Sequence, residues 1–341
     1  MKNVTLKDIA GKAGVAPSTV SAVLNGKAKE SRISDQLAQR VRIIADDMGY
    51  QPNHTAVSLR TGKTRVLGLI VEDISNVFFA ALAKIIEEEA DSIGYKVLYC
   101  STENNEEKAR ERIRMFMQRQ VDGFLITPTA GMRAEVCKLV EQKKPVVLMD
   151  RYFPDVDLPH VLVDNYQGAR MAMDHLLEKG YRRVAYVTVR LDQIQMHQRR
   201  QAYEAALCEN GLPVEEGHIL QLDYHCKPEE AVVQIEQFLA ANPQLDAIFF
   251  ATNYAGVYGL EAIKHLGIEI PRQLAVICFD DHDIFRLYSP GITIVKQPVD
   301  QIAHTAMQLL IRQFEQDPLT DVPPTDLQVL QPARLVVRGS T

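Results

Sequence analysis

From Val66 to Phe279 the chain alternates short apolar runs with helical patterns, and this alternation limits the fold more than any other feature. The runs are VLGLIV, KVLYC, GFLIT, PVVLM, HVLVD, RVAYVTV, AIFFA and LAVICF. Helical periods lie between most of them, as at Phe79–Ala90, Glu107–Gln118, Gln167–Glu178 and Gln198–Asn210. Strand–helix alternation builds a parallel sheet with helices on both faces. The stretch is long enough for two such sheets, each an open Rossmann-like unit that takes ligands at the carboxyl ends of its strands. A chain of 341 residues, 46% hydrophobic, can bury a large core over two or more domains. No GxGxxG follows the first strand, which disfavours a dinucleotide enzyme. The GKT at Gly62–Thr64 resembles the tail of a phosphate loop. It has Val57 where that loop needs glycine, and it precedes a strand, so it is rejected.

The N-terminal segment reads differently. Thr5 and Asp8 form a capping box, so a helix starts at Leu6, with Leu6, Ile9, Ala10 and Ala13 as its apolar stripe. Gly14 stands where a tight turn needs positive φ. Pro17 suits the first position of a second helix, whose inward face is Val20, Val23 and Leu24. A third helix has Ser34 as its cap, Leu37, Val41, Ile44, Ala45 and Met48 inside, and Gly49 at its end. Three short helices sharing one core fit a helix-turn-helix head, or another small three-helix bundle. Through Arg65 there are eleven Lys and Arg against five Asp and Glu, a charge of +6 on a chain of net charge −6. A basic head on an acidic body suggests a polyanion-binding module; the bland alternative is a solvated basic surface.

The ends of the strand runs carry polar groups. Asp73, Phe78 and Phe79 follow the first run, Asp150 and Arg151 end VVLMDR, Asn253 ends AIFFATN, and Asp280 follows AVICF. Each carboxylate or amide alone reads equally as a helix cap or turn former. Together with aromatic rings they suit a polyhydroxylated ligand.

The stretch TLKDIAGKAGVAPSTVSAVLNGKAK, followed by GYQPNHTAVSLRTGKTRVLGLIV, resembles the lactose-repressor (LacI/GalR) family of bacterial transcription regulators. The likeness runs to the terminal RLVVRGST, and the NGKAKESRIS loop is similar to that of the family's fructose and sucrose repressors. It implies an all-α helix-turn-helix head joined to an α/β, two-lobed, periplasmic-binding-protein-like body. The implied domains are a head at 1–52, a hinge helix and linker at 53–65, and an effector-binding and dimerisation body at 66–341. The N-lobe would be 66–164 and 294–328, and the C-lobe 165–293 and 329–341. Crossings are expected near Val163–Asn165, Thr293–Gln297 and Leu327–Gln331.

The second helix would then lie in the major groove. Pro17, Ser18 and Ala22 are the base-facing positions, and Thr19, Ser21 and Asn25 are placed for phosphates. Thr5 and Leu6, at the start of the first helix, complete the candidate contacts in the head. Ala16 stands where the family commonly has a serine cap, and Ala22 where it commonly has arginine. Alanine can touch a thymine methyl but makes no bidentate bond to guanine. The hinge would place Asn53 as a cap, Ala56 on its face, and Leu59 as a wedge into the minor groove; the alternative is a flexible linker with Leu59 packed on the body. In the body, the resemblance implies Arg199 as the residue aimed at effector oxygens, with Arg200 as the alternative if the helix is rotated. It adds Gln193, Gln195, a stacking Tyr224, and Asp280. These groups fit neutral and anionic sugars alike.

The expected function is an operator-binding regulator, a homodimeric repressor of carbohydrate-utilisation genes controlled by a sugar or sugar phosphate. The partners are DNA, a small-molecule effector and a second copy, with no membrane. Five scattered cysteines without a CxxC pattern read as reduced and structural, which points to the cytoplasm. No metal, cofactor or catalytic residue is expected. The competing classes are a periplasmic solute-binding protein, a regulator of a non-sugar metabolite, and an α/β enzyme. The first needs an export signal, and the last needs a nucleophile with its base or a phosphate loop.

Overall fold

A computed structural model describes residues 4–50, 58, 61–315 and 327–341. The chain divides into two compact units, Met1–Thr64 and Arg65–Thr341.

The first unit holds helices α1 (Leu6–Ala13), α2 (Pro17–Leu24) and α3 (Asp35–Asp47). Thr5 and Asp8 close the capping box reciprocally, and Gly14 ends α1 at φ 66°. Ser34 caps α3 through the Leu37 N–H. Ile9, Ala13, Val20, Val23, Val41 and Ala45 meet in one small core. Helices of eight residues are marginal alone in water, so this shared core stabilises α1 and α2. Arg40 adds a bond from its guanidinium to the Ala13 carbonyl, satisfying one of the open acceptors at the end of α1.

The second unit contains two six-stranded sheets. The first is built from β1 (Val66–Val71), β2 (Lys96–Ser101), β3 (Gly123–Ile126), β4 (Val146–Met149), β5 (His160–Val163) and β11 (Gln328–Gln331), in the order β11-β5-β4-β3-β1-β2. The second is built from β6 (Val184–Val189), β7 (Ile219–Leu222), β8 (Ala247–Phe250), β9 (Ala275–Phe279), β10 (Thr293–Lys296) and β12 (Arg334–Val336), in the order β12-β10-β9-β8-β6-β7. Apart from the antiparallel β10–β12 pair, neighbouring strands run parallel.

Helices cover both faces of each sheet, which is why the central strands are almost wholly apolar and buried. α4 (Val77–Ser92) packs with α12 (Val299–Glu315) on one face of the first sheet, and α5 (Glu106–Gln118) with α6 (Arg133–Glu141) on the other. On the second sheet α7 (Asn165–Glu178) and α8 (Ile194–Glu209) cover one face. α9 (Pro228–Ala241), α10 (Asn253–His265) and the short α11 (Asp283–Leu287) cover the other.

The chain passes between the sheets after β5, after β10 and after β11. The strand Thr293–Lys296 lies wholly in the second sheet and Gln328–Gln331 wholly in the first. The expected lobe edges at 294 and at 328/329 therefore move a few residues toward the C-terminus, because each crossing follows a strand and does not precede it. Both lobes share one winding order, 2-1-3-4-5 along the sheet. Their switch points, β1/β3 and β6/β8, put the ligand crevice at the carboxyl ends of the strands.

Close approach of α10 to its sheet depends on Gly259. A Cβ there would lie 2.0 Å from the ring of Phe250, which is fully buried. Gly259→Ala is expected to lower stability by about 1–3 kcal/mol through overpacking, although alanine favours a helix by about 1 kcal/mol over glycine. The urea midpoint reads the sign; a rise would show that the ring gives way freely.

Candidate functional site

In the head, Pro17 and Ser18 are exposed on the first turn of α2, and Thr19, Ser21 and Ala22 are partly buried. Thr5 and Asn25 are exposed and Leu6 is partly buried. Asn25 donates to the Ser21 carbonyl at 2.6 Å and contacts its hydroxyl at 3.2 Å, so these two side chains are held together on α2. Ala16 gives α2 no side-chain cap. The Thr19 N–H donates to the Ala16 carbonyl at 3.0 Å, and the Ser18 N–H sits at the positive end of the helix dipole with no capping side chain over it, an arrangement that favours an anion. Asn53, Ala56 and Leu59, expected at DNA in the hinge, lie outside the described residues.

In the body the two lobes face each other by their strand ends. Asp150, after β4, and Asp280, after β9, both adopt left-handed backbone, at φ 66° and 75°. This conformation is unfavourable for a non-glycine residue and recurs at functional sites. It aims two buried carboxylates into one cleft from opposite lobes.

Arg199, from the second turn of α8, is 2% exposed. Its Nε donates to Asn165 Oδ1 at 2.9 Å and its Nη1 to the Ala251 carbonyl at 2.6 Å. Its guanidinium lies 3.6 Å over the Phe279 ring, and Nη1 is 3.8 Å from Asp280. Arg200 turns the other way, to Glu204 and Glu216 on the surface, and so leaves the cleft to Arg199.

The first lobe supplies its own arginine. Arg151 is buried, pairs with buried Glu72, and donates to Asn104 Oδ1 at 2.9 Å. Gln193 of the second lobe donates to the same Asn104 oxygen at 2.9 Å, and Gln195 donates to Gln193. A second bridge joins Asn76 and Asn253 amide to amide, at 3.1 and 3.4 Å. Gln297 donates to Asp280. Among the described residues lining the cleft, Gln195 Oε1 and Gln297 Oε1 are buried without a hydrogen-bond partner, while Arg151 Nε lies 3.2 Å from the Asp150 carboxylate. Two open acceptors suit the O–H groups of a ligand, which donate as well as accept.

The cavity between these groups is about 40 Å³. That is close to the share of one water, about 30 Å³, so the lobes are closed around these groups, while a neighbouring cavity of about 830 Å³ shares Phe78, Asp280 and Gln297 with them. Burial pushes the Asp150 carboxyl up to about 7, with Arg199 opposing and Asp280 adding to the rise. Asp280 is raised for the same first reason. Burial lowers Arg151 to about 9, leaving it charged at neutral pH.

Of the residues expected at an effector, Phe78, Phe79, Asp150, Gln193, Gln195, Arg199 and Asp280 line this cleft. Asp73, Tyr224 and Asn253 line an adjoining cavity at its mouth. Arg151, read with Asp150 at the end of a strand run, lines the cleft too, and so do Glu72, Asn76, Tyr254 and Gln297, which sequence reading did not single out. Among the described residues no group of three His, Cys, Asp or Glu side chains could hold a metal ion, and no helix is long and apolar enough to cross a membrane.

Comparison with known proteins joins the two halves. Residues 5–53 match the model for bacterial regulatory proteins of the lacI family, and residues 173–341 match a periplasmic binding protein-like domain. The HTH-type transcriptional regulator PtxS of Pseudomonas plecoglossicida is 32% identical over 343 residues, covering 99% of this chain and 96% of that one. The chain belongs to the lacI family. It is a DNA-binding transcriptional regulator with a two-lobed effector-binding body. The ribose operon repressor of Halalkalibacterium halodurans is 30% identical over 99% of this chain and 97% of its own. The lac repressor dimer bound to operator and an anti-inducer shares the fold, with a TM-score of 0.85 at 20% identity over 99% of each chain. The match to family members runs through head and body together, which removes the free-standing solute-binding protein as the preferred alternative.

The buried carboxylates give this body a pH signature. A folded-state value near 7 for Asp150, against an ordinary 3.8, means the folded chain holds a proton that the unfolded chain releases. Its contribution to stability is greatest at low pH and falls as pH rises from about 4 through about 7. Asp150→Asn should therefore gain on the parent as pH rises, by at least about 1 kcal/mol between pH 5 and 7.5. Urea melts at both pH values read this, and a constant difference would contradict the assignment.

Proposed function

We propose that this regulator represses carbohydrate-utilisation genes as a cytoplasmic homodimer on operator DNA, and that a sugar or sugar phosphate held between the lobes controls its grip. It acts by binding and not by turnover. The observation that carries this reading is the single cleft in which Arg199, Asp280 and Gln297 from the second lobe meet Asp150, Arg151 and Glu72 from the first. Fixed charges with open acceptors suit hydroxylated ligands. The names of the ribose operon repressor and of the operator-bound lac repressor support the same reading.

The closed cavity supports a mechanism. Small-molecule sites span about 300–1,000 Å³, so an effector is admitted only as the lobes part, and its contacts set where they come to rest. The differential affinity of the effector for the two lobe positions is the coupling, about 1–3 kcal/mol in typical cases. Lobe position would set whether two hinge segments, 53–65, pair on DNA. In the head, Pro17, Ser18 and Ala22 would face bases while Thr19, Ser21, Asn25, Thr5 and Leu6 hold the backbone. Asn53, Ala56 and Leu59 would complete the contact, with Leu59 as a wedge between base steps.

Two substitutions separate the sites. Arg199→Ala is expected to abolish the calorimetric signal of the effector and the effector's influence on a gel shift while leaving DNA affinity intact; an unchanged titration would retire this residue. Leu59→Ala should weaken operator affinity by about tenfold or more and spare effector binding; equal operator affinity would remove the wedge role.

A further inference from the structure

The cleft does not end at the Asn76–Asn253 bridge. On the far side lies a cavity of about 340 Å³, which shares Glu72, Asn76 and Tyr254 with the cleft. The cavity is thus within the range of small-molecule sites, about 300–1,000 Å³, although the cleft as closed is not.

Its walls have a distinct chemistry. Tyr254 and Tyr258 stand one turn apart on α10, ring centroids 6.3 Å from each other and tilted by 60°, and Tyr224 forms the third aromatic wall. Two carboxylates, Glu72 and Asp73, line it, and no lysine or arginine does. Asp73 accepts from the Ser75 N–H and hydroxyl, at 2.9 and 2.8 Å. A carboxylate has about four lone-pair sites, so these bonds leave acceptor capacity toward the cavity. The phenols stay protonated at neutral pH, since burial raises both Tyr224 and Tyr254. Glu72 is paired with Arg151 behind the wall, so Asp73 and the phenols are the groups that face a ligand, and they accept hydroxyl donors while tyrosine faces cover the C–H surface of a pyranose or furanose.

We propose that this cavity is a second sugar subsite, and that the effector is an oligosaccharide whose outer ring is uncharged and stacks on Tyr258 beside Tyr224. One ring sits in the cleft on Arg199 and Asp280, and the next passes the Asn76–Asn253 bridge, which opens as the lobes part. Any phosphate or carboxylate on the effector belongs to the inner ring, beside Arg199 and away from the Asp73 carboxylate. The inference rests on the reading of the cleft as a carbohydrate site.

Calorimetric titration of the full chain tests it, with cellobiose, maltose, lactose and sucrose set against glucose, galactose and fructose. At least one disaccharide should bind about tenfold or more tightly than either component, a difference of about 1.4 kcal/mol. Tyr258→Ala should remove that gain and change monosaccharide affinity less than about twofold. Tyr258→Phe should keep it, because the ring is retained. Arg199→Ala should abolish both kinds of binding. Monosaccharides binding as well as every disaccharide, or Tyr258→Ala weakening both classes equally, would overturn the subsite and leave the carbohydrate reading standing. Binding of none of these sugars would overturn both.

Discussion

The buried guanidinium of Arg199 is the constraint around which the strand ends of the second lobe are arranged. A buried charge is costly unless it is paired and hydrogen-bonded. Here it is held by Asn165 at the start of α7, by the Ala251 carbonyl after β8, by the face of Phe279, and by Asp280 after β9. Three segments of the second lobe thus fix one cation before any ligand arrives. Such preorganisation reduces the ordering that binding requires. The first lobe mirrors it with Arg151 among Glu72, Asp150 and Asn104.

The closed cleft follows from the same electrostatics. Each lobe alone would expose an imperfectly satisfied set of carboxylates, amides and guanidinium groups. Closure lets Gln193 reach Asn104 and Asn253 reach Asn76, so that each lobe completes bonds for the other. The bonds are few, and acceptor atoms are left over on Gln195 and Gln297. A closed state held by few bonds, with unsatisfied groups facing its interior, is one that a hydroxylated ligand can remodel.

Much of the fold was legible because it rests on local rules. The strand runs were continuous apolar stretches of the kind that sheets buried on both faces demand, and Thr5, Gly14 and Ser34 stand where their cap chemistry predicts. The last strands were harder. Gln328–Gln331 alternates polar and apolar residues at the edge of its sheet, and Arg334–Val336 is three residues long, so neither shows a run. That is why the lobe edges shifted. Within the site, Asp150, Arg199 and Asp280 were found by position on a strand end or by resemblance. Glu72 and Gln297 were not, because what makes them matter is a partner far along the chain, Arg151 for one and Asp280 for the other. Asp73 and Tyr224, expected at the effector, line the adjoining cavity and not the cleft that holds Arg199.

The central claim is that one ligand-controlled equilibrium of the lobes sets DNA affinity, and linkage gives it a direct measurement. Effector affinity is determined by calorimetry with and without saturating operator fragment, and operator affinity by fluorescence anisotropy with and without saturating effector. Effector affinity should change by a factor of about 5–150 at each site, and operator affinity by the product of the factors at the two effector sites of the dimer. Effector binding that is identical on free and DNA-bound protein would contradict it.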